Sequence, residues 1–285
     1  MQPFDKLWDY SNPNETEKKF REVLAESSIE KDVSHYLQLL TQIARTFSLR
    51  AMFNEAHAVL DEVQNKLNHI NDVANVRYHL ERGRTFNSSG KKEEAKNHFL
   101  EAQKIAVDLK EDFYAIDCIH MLAIVAPPNE AIILNETAIL AAEKSEQEHA
   151  KNWLGPLYNN LGWSYFDKGE HEKALSVFLR SLQWRESMKS APEIFLAKWT
   201  VARTLRALNR IDDALKIQLA LLEEMIETQQ EDGYVYEELA ELHLSKNETV
   251  SKMYFGFAYR ELSKDNWLVK NEPARLERMK ELSKD

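Results

Sequence analysis

The chain has 285 residues, with 37 Lys and Arg against 47 Asp and Glu and a formal net charge of −10. That balance argues against a protein built to neutralise nucleic-acid phosphates. The lone cysteine, Cys118, excludes an internal disulfide and suits a reducing, cytoplasmic compartment. No stretch approaches the roughly 18 apolar residues of a membrane span, and the N-terminus lacks the basic-then-apolar pattern of a signal peptide. Seven Gly and seven Pro are too few for a β-sandwich or barrel, which turns about every 8–12 residues.

In chain order, residues 1–29 read as a lead-in anchored by Phe4, Leu7 and Trp8, followed by an unpaired helix from about Asn14 to Ala25. A repeat then begins. Small residues stand at Ala44, Gly83, Ala123, Gly162, Ala202 and Ala240, in steps of 39, 40, 39, 40 and 38. In four of the six a second small residue follows 12 positions later, at Ala56, Ala95, Ala174 and Ala214. Each small residue lies on an apolar helical stripe. Phe47, Phe86, Tyr165 and Leu205 lie one turn further on. This spacing predicts a helical hairpin repeated six times over 30–263, at about 30–68, 72–109, 112–149, 152–189, 192–230 and 232–263. A hairpin cannot bury its apolar side alone, so neighbours must stack. Turns are expected at Arg50-Ala51, Ser88-Ser89-Gly90, Pro127-Pro128, Lys168-Gly169, Asn209-Arg210 and Ser245-Lys246-Asn247. Ser190 is a candidate N-cap ahead of Pro192. Residues 264–285 read as a charged C-terminal capping helix, with no flexible linker or second domain in view.

The segment with Leu161, Gly162, Tyr165, Ala174 and Phe178 resembles the tetratricopeptide repeat (TPR) family, and Gly83, Phe86, Ala95, Phe99 and Ala102 match it less fully. The resemblance covers about residues 37–262. It implies an all-α fold, a right-handed α-solenoid of about six hairpins. The 38–40 residue period exceeds the family's usual ~34 and points to its long-period members, which include light chains of motor proteins and bacterial peptide-sensing regulators. Asn135 and Lys252 stand where Ala is expected, so the third and sixth repeats are degenerate.

The resemblance implies that ligands lie along the inner surface formed by the first helices. Counted from the small residue, the next position reads Arg45, Arg84, Ile124, Trp163, Arg203 and Glu241, and two before it reads Gln42, Glu81, Met121, Asn160, Thr200 and Glu238. Three before it stand Thr41, Leu80, His120, Asn159, Trp199 and Glu237, and four after it Ser48, Asn87, Pro127, Phe166, Arg206 and Leu244. The candidate peptide-binding residues are Arg45, Arg84, Asn159, Asn160, Trp163, Phe166, Trp199, Arg203 and Arg206. Arg suits carboxylates, Asn suits a peptide group and Trp supplies rigid contact area. The bland counterpart is that each Arg pairs with Glu on an adjacent helix and each Trp packs between repeats. Asn160 matches the asparagine of the family's carboxylate-clamp subgroup, but the lysines of that subgroup are missing. Glu237, Glu238 and Glu241 form an acidic end.

Catalytic signals are poor. The nine histidines show no zinc spacing. The stretch from Gly83 to Lys92 has the wrong glycine spacing for a phosphate loop and reads as a repeat turn. Cys118 reads as a small core residue and His171 as a turn residue. The expectation is a non-enzymatic scaffold without cofactor or metal. It binds a protein or peptide carrying an acidic group, and binds neither nucleic acid nor membrane. The alternative is a regulatory peptide sensor acting on a separate transcription factor or signalling protein.

Overall fold

The computed structural model describes residues 2–67 and 72–284, and the expected end of the first hairpin at residue 68 lies outside them. Among the described residues there are helices and no strand. A 3₁₀ turn at Pro3–Leu7 precedes α1 (Pro13–Glu26), whose N-cap Asn12 accepts from the Glu15 amide. Six hairpins follow: α2 (Val33–Leu49) with α3 (Phe53–Lys66), α4 (Val73–Ser88) with α5 (Lys92–Asp108), α6 (Asp112–Val125) with α7 (Pro128–Lys144), α8 (Leu154–Asp167) with α9 (His171–Met188), α10 (Ala191–Ala207) with α11 (Ile211–Thr228), and α12 (Gly233–His243) with α13 (Glu248–Leu262). A second 3₁₀ turn, Glu148–Trp153, leads into α8. No helix is long and apolar enough to cross a membrane among the described residues.

The small residues do what their spacing implies. Ala44, Ala56, Ala95, Ala174, Ala202, Ala214 and Ala240 are fully buried. Gly83 and Gly162 make room for an aromatic ring rather than a backbone: a Cβ at either would stand 2.4 and 2.3 Å from the rings of Phe99 and Phe178. Both phenylalanines lie 16 residues after their glycine. Where the small residue is Ala44 or Ala123, the side chain 16 later is the smaller Leu60 or Ile139. Four first helices end identically. Ala51, Gly90, Gly169 and Asn209, each seven after the small residue, take left-handed backbone angles. The next amide reaches back to the carbonyl of Phe47, Phe86, Tyr165 or Leu205, closing a Schellman turn. Pro127-Pro128 replaces that device in the third hairpin: Pro127 caps α7 and Pro128 is its first residue.

Two expectations change. Ser190 does precede α10, but its side chain makes no cap bond. The C-terminal cap is two helices, α14 (Asn266–Asn271) and α15 (Pro273–Leu282). Pro273 has no amide to continue α14, and α15 instead turns to pack Leu276 and Met279 into the core it shares with α13.

The chain divides into two compact units, Met1–Leu157 and Tyr158–Asp285. In the first, α2 packs on α4 and α4 on α6, so consecutive first helices lie side by side. The lead-in joins this unit's core: Phe4 and Phe20 are buried with Leu37, Leu40 and Leu60. In the second unit α10 packs on α9, α11 and α12, and its core gathers Leu221, Met225, Leu239 and Phe255.

Candidate functional site

In the first unit the inner columns meet two adjoining cavities of about 260 and 280 Å³, which share Arg45, Arg84 and Trp153. Column residues from three successive first helices line them: Gln42, Arg45 and Ser48 on α2, Glu81, Arg84 and Asn87 on α4, and His120, Met121 and Ile124 on α6. The helical register therefore places Arg45 and Arg84 at one site.

Their charge is already engaged. Buried Glu81 accepts from Arg45 Nη1 at 3.0 Å through one oxygen and from Arg84 Nη1 at 2.7 Å through the other. Arg84 Nη2 donates to Asp117 at 2.5 Å, and Arg77 pairs with Asp5. Burial pushes the Glu81 pKa up, but Arg45 and Arg84 outweigh it and hold the carboxyl below its ordinary value. Burial likewise opposes the charge on Arg84, and Asp117 and Glu81 outweigh it, so its pKa is raised. Three guanidinium groups thus face three carboxylates. These pairs leave the three arginines and three carboxylates with no net formal charge.

The aromatic wall comes from outside the repeat columns. Trp8 and Tyr10 stack with centroids 4.7 Å apart, and the Arg45 guanidinium lies 5.6 Å from the Tyr10 ring. Trp8 Nε1 donates to Gln42 Oε1 at 3.0 Å, which fixes the lead-in against α2. Trp153 sits between Phe113 and His120. Burial lowers the His120 pKa, against a smaller opposing effect of Asp117. Trp153 and Tyr10 escape the register argument because neither lies on a first helix of a hairpin. The anchors Phe4 and Trp8 were legible as apolar residues in a polar lead-in.

The second unit holds the other candidates. Rings form a row: Trp163 is 5.2 Å from Phe166 and 6.3 Å from Trp199, and Trp199 is 5.9 Å from Tyr234. All four are half-buried, so they combine packing with partial exposure. Trp199 Nε1 donates to the Tyr234 carbonyl at 3.2 Å. Asn159 and Asn160 are half-buried on α8, and the Asn160 carbonyl accepts from Ser164. Arg203 and Arg206 both bind Glu238, a fully buried residue, at 2.7 and 2.6 Å. Burial opposes the Arg206 charge, and the hydrogen bond it donates to Glu238 outweighs it, so its pKa is raised. Glu237 pairs with Arg275 and Glu241 with Arg278. The expected acidic end is therefore compensated, because α15 and α10 bring guanidinium groups to it.

The residues set aside in the sequence form no catalytic arrangement of their own, although Arg84, Asn87 and Ser88 of the Gly83–Lys92 stretch line the cavities. Gly83–Lys92 spans the end of α4 and its turn, Cys118 is buried in the core, and His171 opens α9 against Phe166. Among the described residues no group of three His, Cys, Asp or Glu side chains is placed to hold a metal.

Residues 155–188 match the family model of the tetratricopeptide repeat. No curated protein sequence matches the chain. Among solved structures, the apo form of RapI is similar over 92% of this chain and 76% of its own, at 14% identity and TM-score 0.72. A Rap protein complexed with competence and sporulation factor is similar over 89% of this chain and 72% of its own, at 11% identity and TM-score 0.58. The nearly identical TPR-like repeats of a kinesin light chain from Podosopora anserina align over 69% of this chain and 97% of their own, at 16% identity and TM-score 0.55. At such identities the likeness concerns the fold. The described residues form an all-α fold of TPR-like helical repeats, and the fourth hairpin matches the tetratricopeptide repeat model in sequence as well.

Proposed function

We propose that the chain is a non-enzymatic scaffold that binds a protein segment or peptide along the inner columns of its first helices. The observation that carries this reading is the pair of adjoining cavities sharing Arg45, Arg84 and Trp153, lined from three successive helices. Side chains on rigid helices are held at fixed spacing, which suits an extended chain better than a single small molecule. The aromatic walls supply contact area at low entropic cost. Because Glu81 and Asp117 neutralise the arginines, an acidic ligand group would add to an existing network and compete with these carboxylates. Within the second unit, taken by itself, Asn159, Asn160, Trp163, Phe166, Trp199, Arg203 and Arg206 would offer the same kinds of contact.

A display library of linear peptides selected on the full chain tests this. Selected peptides should lose about tenfold or more in affinity with Ser88→Trp, which fills the second cavity from an exposed position, and with Arg84→Glu combined with Arg203→Glu. Peptides that bind all three proteins equally would remove these columns from the site.

A second reading, a regulatory sensor acting through a separate protein, is favoured by the likeness to a Rap protein in complex with competence and sporulation factor. Capture of a transcription factor or response regulator by the chain from its native host, released by a peptide, would support it.

A further inference from the structure

The second unit carries a cleft that shares only Trp199 with the peptide-binding candidates. It has a volume of about 360 Å³ and is lined by Pro192, Phe195, Leu196 and Trp199 from α10 and by Asp232 and Tyr234 at the start of α12. Five of these six residues are apolar or aromatic, and Asp232 is the charged one.

Each wall is fixed. The bond from Trp199 Nε1 to the Tyr234 carbonyl locks the indole, and Tyr234 stands edge-on to it at 71°. Asp232 Oδ1 accepts from the amides of Tyr234 and Val235 as the N-cap of α12. That bond orients the carboxylate and leaves its charge in place, and no cation pairs with it among the described residues. Apart from Asp265, which caps α14 and also acts on Tyr234, the neighbouring ionic groups are spoken for: Glu193 by Arg185, Glu231 by Arg260 and Tyr236, Arg203 by Glu238, and Arg275 by Glu237 and Glu272. The cleft therefore keeps one uncompensated negative charge beside an aromatic surface.

Rings in this corner already hold cations. The Arg203 guanidinium lies 5.5 Å from Trp199 and that of Arg275 lies 5.5 Å from Tyr234. An aromatic ring attracts a cation through its quadrupole, most strongly where water is displaced. A strongly hydrated ammonium would lose its water on entering an apolar cleft, whereas an alkylated one carries its charge under methyl groups and loses little.

We propose that this cleft is a binding site for an alkylammonium group, with Trp199, Phe195 and Tyr234 as the cage and Asp232 as the counter-charge. Its test is separate from that of the peptide-binding columns, which rests on Ser88, Arg84 and Arg203, although Trp199 belongs to both.

Choline and its uncharged carbon isostere, 3,3-dimethylbutan-1-ol, test it on the full chain. Binding is followed by NMR of the tryptophan indole resonances, with the Trp199 signal assigned from Trp199→Leu. Choline should bind about tenfold more tightly than the isostere, and Asp232→Asn should remove most of that difference. Asn replaces Asp well as an N-cap, so this variant keeps α12 and changes only the charge. Equal binding of the two probes, choline binding undiminished by Asp232→Asn, or an unmoved Trp199 resonance would each overturn the proposal.

Discussion

Gly162→Ala should destabilise the second unit, although the same change in an ordinary helix stabilises it. A methyl group at this position would stand 2.3, 2.6 and 2.7 Å from three ring carbons of Phe178, against a comfortable separation of about 3.5–4.0 Å. The ring would have to retreat by ~1 Å, taking normal carbon contact as the target. Phe178 is fully buried and has Trp163 at 5.3 Å on a neighbouring side, so little free space receives it. Overpacking of this kind costs about 1–3 kcal/mol. Replacing Gly by Ala in a helix interior returns about 0.5–1 kcal/mol. The net expectation is a loss of up to about 2.5 kcal/mol. A double-mutant cycle separates the two terms. In a Phe178→Leu background the ring is gone, and Gly162→Ala should then stabilise by about 0.5–1 kcal/mol. Urea denaturation followed by circular dichroism reads both. The reasoning is refuted if Gly162→Ala has the same sign in the two backgrounds.

Gln218 occupies the position, 16 after Ala202, that Leu60, Phe99, Ile139 and Phe178 fill in other hairpins. It is fully buried and neither of its amide atoms has a partner. Gln218→Leu should therefore stabilise the protein by about 1–3 kcal/mol, and a lower urea midpoint would show that the amide is satisfied after all. Glu238→Ala leaves Arg203 and Arg206 without their buried counter-charge and should cost about 3–5 kcal/mol in thermal denaturation. If the loss is under ~1 kcal/mol, the pairs behave as exposed ones do. His79 and His98 meet through their Nδ1 atoms at 2.9 Å. Burial first, then Arg82 in one case and the partner histidine in the other, lowers both pKa values to about 4. The unfolded chain, with histidine near about 6.5, takes up these protons first, so stability is full above that pH and falls between there and about 4. Each histidine contributes at most about 1.4 kcal/mol per pH unit, reduced by the partial exposure of both rings. Urea midpoints at pH 7.5 and 5 should move less in His79→Gln/His98→Gln than in the unchanged chain, and an equal shift would rule out the pair.

The division between what could and could not be read in the residues follows the range of the forces involved. The hairpins, their period and their turns were legible because helix stripes and Schellman turns depend on residues within about one or two helical turns of each other. Ala51, Gly90, Gly169 and Asn209 fall where the turns were expected for that reason. The inner columns were legible in the first unit for a related reason: once the small residue fixes which side of a helix is packed, register fixes the opposite side. Residues 264–285 read as a single capping helix in the sequence, whereas Pro273 divides them into α14 and α15.

From the amino-acid order alone came the all-α class, the six paired helices and the rows to which Arg45, Arg84, Trp163 and Trp199 belong, since each follows from local periodicity. Only the folded chain decided that Arg45 and Arg84 share Glu81, that Arg203 and Arg206 share Glu238, and that Trp8 and Tyr10 wall a cavity. Arg45 lies 36 residues from Glu81, Arg203 and Arg206 lie 35 and 32 residues from Glu238, and Trp8 lies 34 residues from Gln42. Whether a charge is open to a ligand or closed by a neighbour depends on which side chains helix stacking brings within about 3 Å, the distance over which a charged hydrogen bond acts.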